Sequence, residues 1–182
     1  MVYMLLGEGF EEIEAVAPLD ILRRADIEAA TVSITADAMV CGGHGLTVKA
    51  DMTLEQVDFE SLEMLVLPGG GGGVASIAGS TGAMELIRRV LDSGKMIGAI
   101  CAAPSLLAKL GIIDGRKVTC YPTVSDKVEA AGGIVQRGVP VVADGNFITG
   151  QAAGSAIEFG LALVTKLRCR DASEEVRQEI IC

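Results

Sequence analysis

Four short runs, Val2–Leu6, Ala30–Ile34, Met64–Leu67 and Met96–Ile100, consist mainly of apolar or β-branched residues, and segments of helical spacing separate them. A strand with one wet face alternates polar and apolar residues, so runs such as Met64–Leu67 belong to strands covered on both faces. Strands of that kind joined by helices demand a mostly parallel sheet, doubly wound and flanked by helices on both sides, an α/β fold. The helical pattern predicts helices from about Glu11, over Ala83–Leu91 and over Ala102–Lys109, with Pro18 kinking or restarting the first. Cys41 and Leu46–Ala50 read as a hairpin-like pair, and the glycines at 69–73 as a loop. Further on, Val118–Tyr121 reads as a strand and Ser125–Ala130 as a short helix. Ile134–Val142 and Asn146–Thr149 read as an antiparallel pair around the Asp144-Gly145 turn. Ser155-Ala156-Ile157-Glu158 has capping-box spacing ahead of the apolar run Phe159–Leu167. The charged stretch Asp171–Ile181 gives a weaker, peripheral helix that frays or packs on a partner. The whole of residues 1–182 fits one domain.

Half of the residues are hydrophobic but only 3% are aromatic, so Val, Ile, Leu, Ala and Met must build the core. A net charge of −9 without a basic cluster argues against nucleic acid or an anionic membrane as partner. The apolar N-terminus lacks a basic leader and runs into Glu8, Glu11 and Glu12, reading as a first strand and not a signal peptide; we expect a cytoplasmic protein. Apolar runs stay well short of the roughly 18 residues of a membrane span. Five cysteines without C-x-x-C spacing point to reduced thiols, not to a disulfide or zinc framework. With a single histidine, His44, and no acidic cluster at ligand spacing, no metal site is expected.

The chemistry-bearing feature is Ala99-Ile100-Cys101-Ala102-Ala103, where an apolar strand meets a helix at a cysteine with small residues two places before and after. That spacing mimics a nucleophile elbow, in which small flanks permit a tight turn that exposes the nucleophile at the sheet's carboxyl edge. A helix N-terminus beside the sulfur favours thiolate over thiol. On placement alone, Cys101 is also readable as a small buried hydrophobe. Pro68-Gly69-Gly70 closes the preceding strand, and a residue without Cβ lets backbone N–H groups approach a reacting oxygen. Gly70 with Ala102 can therefore form an oxyanion hole; a flexible loop or a phosphate cradle lacking its Lys-Ser/Thr is the alternative. Glu14 lies one turn into the first helix on the stripe of Ala17, Pro18 and Ile21. An apolar setting would raise its proton affinity and let the protonated carboxyl donate to a thiolate, while a plain helix-start glutamate is the other reading. His44 lies in a glycine-rich loop far along the chain from Cys101, so a Cys-His pair could arise only through the fold or a partner subunit.

Glu11-Glu12-Ile13-Glu14, Pro68-Gly69-Gly70, Ala99 through Pro104, Tyr121-Pro122 and Gly154-Ser155 together resemble the ThiJ/PfpI superfamily, in the branch of the Parkinson-associated protein deglycase. The resemblance runs nearly end to end. It implies a flavodoxin-like fold, usually in a homodimer, with Cys101 as nucleophile or peroxide-sensitive thiol, Glu14 as its protonated partner, and Gly70 and Ala102 as oxyanion donors. Cys41 matches a family cysteine near the dimer interface, and Arg24 a basic residue able to approach the partner's site. The implied activity is a cofactor-free, cysteine-dependent glyoxalase or deglycase acting on small dicarbonyls. The alternative is a redox sensor or protective protein, or chaperone, working through oxidation of Cys101. Tyr121 stands where several relatives have His, and Ala152-Ala153-Gly154 where many have Gly-Pro-Gly, so a nearby imidazole base is missing. PfpI-type peptidases carry His after the nucleophile; Ala102 in that place counts against proteolysis. A thiazole monophosphate biosynthetic role finds no phosphate-binding Lys/Arg constellation and ranks last.

Overall fold

The computed structural model describes residues 1–182. Strands and helices follow in the order β1 (Val2–Leu6), α1 (Glu12–Arg24), β2 (Ala29–Ser33), β3 (Met39–Cys41), β4 (Thr47–Lys49), β5 (Met52–Thr53), β6 (Met64–Leu67), α2 (Gly71–Gly79), α3 (Thr81–Asp92) and β7 (Met96–Ile100). The second half adds α4 (Pro104–Lys109), β8 (Lys117–Val118), α5 (Ser125–Ala130), β9 (Ile134–Val135), β10 (Val141–Asp144), β11 (Phe147–Gly150), α6 (Ala156–Leu167) and α7 (Arg170–Glu179). Seven strands form the main sheet in the order β10-β11-β7-β6-β1-β2-β5, parallel except for the antiparallel edge pair β10–β11. This is the α/β, doubly wound arrangement that the apolar runs require.

Alternation along each strand sorts the core into two layers. Tyr3, Leu5, Leu65, Leu67, Ile97 and Ala99 face one side with Val74, Ile77, Ile87 and Leu106 from α2, α3 and α4. Val2, Met4, Leu6, Met64, Val66 and Ile100 face the other with Ile21, Leu22, Phe159 and Leu163 from α1 and α6. Both faces are thus dry, which is why these strands carry no polar alternation. No helix is long and apolar enough to cross a membrane.

Several local expectations are corrected. The glycine tract is a loop only at Gly69 and Gly70: Gly71–Gly79 is helix α2. A Cβ on Gly73 would lie 2.7 Å from Phe10 Cα, and one on Gly72 would lie 3.0 Å from Gly9 Cα. The glycines therefore let the first turn of α2 press against the loop after β1, and burial of Val74 and Ile77 offsets their poor helix propensity. Pro18 does not divide α1, because its missing N–H falls within a helix already docked on α6 through Ile21 and Gly160. Helix α4 begins at Pro104, a residue suited to the first helical position, so residues 101–103 form a turn ahead of it. Of the expected strand at 118–121 only Val118 pairs, as the end of β8 (Lys117–Val118), which runs parallel to Ile134–Val135 away from the main sheet. The antiparallel partner of β11 is accordingly confined to Val141–Asp144.

The capping box at Ser155 is absent. Ser155 Oγ instead accepts from the N–H groups of Gln151 and Ala152, both at 3.1 Å, and donates to the Ala152 carbonyl at 2.8 Å. The hydroxyl is consumed in closing the turn after β11, and Glu158 stays exposed. The C-terminal helix is docked: Val176 is buried against the α6 side of the core, and Ser173 Oγ donates to Leu161 O at 2.9 Å.

Candidate active site

Strands β1, β6 and β7 are neighbours in the sheet, so the loops leaving their carboxyl ends meet at one edge. Glu14 follows β1, Gly69 and Gly70 follow β6, and Cys101 follows β7. Cys101 adopts φ 64, a left-handed conformation that costs a non-glycine residue on the order of 1–2 kcal/mol. Two backbone bonds hold it there: Cys101 N–H donates to Gly150 O at 2.9 Å, and Cys101 O accepts from Tyr121 N–H at 2.7 Å. The side chain is half-buried, and the N–H groups of Gly70 and Ala102 are directed at its sulfur.

Glu14 is fully buried although it carries a carboxyl group. Its Oε2 accepts from Gly69 N–H at 2.8 Å, Oε1 lies buried without a hydrogen-bond partner, and the carboxyl group adjoins the Cys101 thiol. Burial pushes Glu14 up to about 7, against the hydrogen bonds from Cys101 and Gly69 that favour its charged form. Burial, and then the adjacent Glu14 charge, push the Cys101 thiol up to about 12, against the Gly70 and Ala102 N–H groups. The expectation of a thiolate from the local helix alone is thereby corrected: α4 is short and starts three residues later, and an ionised Glu14 opposes the thiolate. The two groups compete for one proton. When Glu14 holds it, the repulsion disappears and the two N–H groups remain to stabilise the sulfur anion.

Gly69 was not singled out from the sequence, where it is one of five adjacent glycines. A Cβ there would overlap Glu14 Oε2 and lie 2.7 Å from Cys101 Cβ and 3.1 Å from Sγ. This position, not only the N–H at Gly70, makes room for the acid and the thiol to meet. Gly70 itself has φ 85, and a Cβ there would run into Gly9 O and Glu11 N.

The remaining sequence candidates are dispersed. Tyr121 reaches the elbow through its backbone, and its side chain is 42% exposed. Gly154 lies on an exposed turn where a Cβ would meet nothing within 4 Å. Arg24 is bound to Asp20 at 2.6 Å and to Glu179 at 2.5 Å, away from Cys101 of its own chain. His44 pairs with Glu12 at 3.0 Å and lies 3.6 Å from Glu11. Contrary to the expectation of no clustered ligand types, Glu11, Glu12 and His44 bring their donor atoms within 4.8 Å of one another. Glu12 also accepts from His44 and Leu46 N–H groups; burial would raise its carboxyl, but these bonds hold it down at about 2. Those contacts give the trio an evident task in anchoring the 42–46 loop. Cys41 sits in the adjoining strand, half-buried, its thiol 3.5 Å from Gly42 O.

The model of the DJ-1/PfpI family matches residues 1–166. Protein dj-1beta of Drosophila melanogaster is 33% identical over 178 residues, covering 98% of this chain and 95% of that protein. A deglycase of Thermococcus kodakarensis is 30% identical over 92% of this chain and 99% of its own length. The chain spans only 37% and 42% of two Arabidopsis thaliana DJ-1 homologs, B and A, that it also matches. Among solved structures, Drosophila DJ-1beta superposes with a TM-score of 0.94 at 32% identity over 99% of this chain and 96% of that one. Toxoplasma gondii DJ-1, oxidized, gives 0.92 at 29% identity over 99% of this chain and 97% of that one. With likeness of this extent in both sequence and fold, the chain belongs to the DJ-1/PfpI family.

Proposed function

We propose that this protein is a cofactor-free, cysteine-dependent enzyme of the glyoxalase or deglycase kind, acting on small reactive dicarbonyls or their adducts. The observation that carries the reading is the buried Glu14 set against a half-exposed Cys101 on a left-handed turn, with two N–H groups aimed at the sulfur. A relative described as a deglycase supports it.

With methylglyoxal, Cys101 Sγ bonds to the aldehyde carbon and its proton passes by way of Glu14 to the carbonyl oxygen, giving a hemithioacetal. The Glu14 carboxylate then removes the C–H proton, and the electron pair shifts onto the neighbouring ketone oxygen, giving an enediolate. Glu14 returns that proton to the former ketone carbon while the hydroxyl proton on the sulfur-bearing carbon passes to the former ketone oxygen, leaving a lactoyl thioester. Water cleaves its C–S bond, releasing lactate and restoring the thiol. The N–H groups of Gly70 and Ala102 would stabilise the oxygen anions along this path. A carboxyl poised near 7 is suited to giving and taking protons at neutral pH. In this reading a homodimer would bring Arg24 and the Cys41 region toward a partner's site.

Nuclear magnetic resonance detection of lactate from methylglyoxal, on the protein and on Cys101→Ser, tests the proposal. Turnover at least about 100-fold faster than the variant is expected, in line with loss of a nucleophile. Equal rates would overturn it.

A second reading rests on the oxidized form of Toxoplasma DJ-1. Cys101 would reduce a peroxide, its sulfur gaining one oxygen as water leaves, and a second equivalent would give a sulfinate held by Glu14 and the same N–H groups. Mass analysis after peroxide treatment separates the readings, since a sensor without lactate formation gains two oxygens on Cys101 alone.

A further inference from the structure

The largest cavity of the molecule is a groove of about 560 Å³ between α2, α4 and the start of α5. Gly71 and Ala102, next to the Cys101 turn, line it together with Lys109, at the far end of α4, and Lys127 of α5. Its floor is apolar, made by Val74, Ala75, Ala78, Leu106 and Ala108. No carboxylate lines it, in a chain where acids outnumber bases 24 to 15. Neither lysine has a carboxylate within 4.0 Å. The α5 acids Asp126 and Glu129 turn to Arg137, at 3.8 and 2.8 Å, leaving Lys127 unneutralised. Lys109 Nζ donates to Ala78 O at 3.1 Å, which fixes its ammonium group at the groove's end with donors to spare.

These features describe the ligand. A single apolar channel closed by two cations matches an anion carried on an apolar stem. No strand contributes to the lining, so a peptide would find no strand edge to pair with. The run from Ala102 to Lys109 follows α4 for on the order of 10 Å at the helical rise. We propose that this groove binds an aliphatic carboxylate, its acid group between Lys109 and Lys127 and its chain reaching toward Ala102 at the mouth of the thiol site. The inference is one of binding, and it stands whether or not Cys101 turns over a dicarbonyl.

The test uses ¹⁵N-labelled Cys101→Ser protein titrated with octanoate, octanol and octylammonium. Octanoate should move the amide signals of Val74, Ala78, Ala102, Leu106 and Ala108 in a saturable way, and octylammonium should not. Lys109→Gln with Lys127→Gln should weaken octanoate about tenfold and remove its salt dependence. Ala75→Leu, on the exposed face of α2, keeps both lysines but fills the groove and should abolish binding with the thermal midpoint unchanged. Equal affinity for octanoate and octanol, shifts centred elsewhere, or no saturable shift would each overturn the assignment.

Discussion

At the scale of single residues, the Glu14–Cys101 pair sets a measurable signature. Glu14 keeps its proton up to about 7 in the folded chain and releases it near the usual 4.5 once unfolded. Between those values the folded state binds the extra proton, so stability falls as pH rises through that window and levels off above it. The total is on the order of 3 kcal/mol. Urea midpoints at pH 5 and pH 8 should therefore differ in that direction, and Glu14→Gln should flatten the difference. A wild-type protein that gains stability over the same interval would contradict the buried, proton-holding acid. Cys101 was legible from its small-flanked strand end, whereas the apolar stripe left Glu14 readable as a plain helix-start glutamate and only the family resemblance singled it out. Gly69 was not legible, because its role is a distance to two side chains remote in sequence, and a glycine run disguises which member is needed. Nor was the mutual opposition of the acid and the thiol, which depends on burial that only the packed fold supplies.

Among the elements, the strands were the most readable, since Val2–Leu6, Met64–Leu67 and, after the half-buried Met96, Ile97–Ile100 are buried runs with sharp ends. Helix α2 was hidden by its composition: glycine advertises a turn, and the close approach to Phe10 that demands it is tertiary. Ser155 shows a different failure, a motif with correct spacing whose hydroxyl is used elsewhere. The consequence is testable. Ser155→Ala leaves the Ala152 N–H without its acceptor, while Gln151 N–H keeps Pro140 O at 2.9 Å, and should lower stability by about 1–3 kcal/mol in urea unfolding. Glu158→Ala should stay within about 0.5 kcal/mol, as for an exposed side chain without partners. The reverse ranking would restore the capping box.

Across the whole molecule, four of the nine large exposed hydrophobic side chains lie on α1 and the β3–β4 hairpin. Ile13, Val16, Met39 and Leu46 are each 47% to 54% exposed. Ile13 and Leu46 share one hollow with His44, and Val16 lines another with Val48. If the chain pairs as its resemblance implies, this face is the seam, and Val16→Glu should sediment as a monomer where the parent sediments as a dimer; unchanged sedimentation would place the contact elsewhere. The bond from Cys101 N–H to Gly150 O bears on how the molecule is made. Gly150 belongs to β11, which pairs with β7 long after Cys101 has been synthesised. A nascent chain leaving the ribosome thus carries Cys101 as an ordinary, unguarded thiol until one of its last strands arrives, and during that interval its exposure to stray oxidants and electrophiles is a matter for the cell, not for the site.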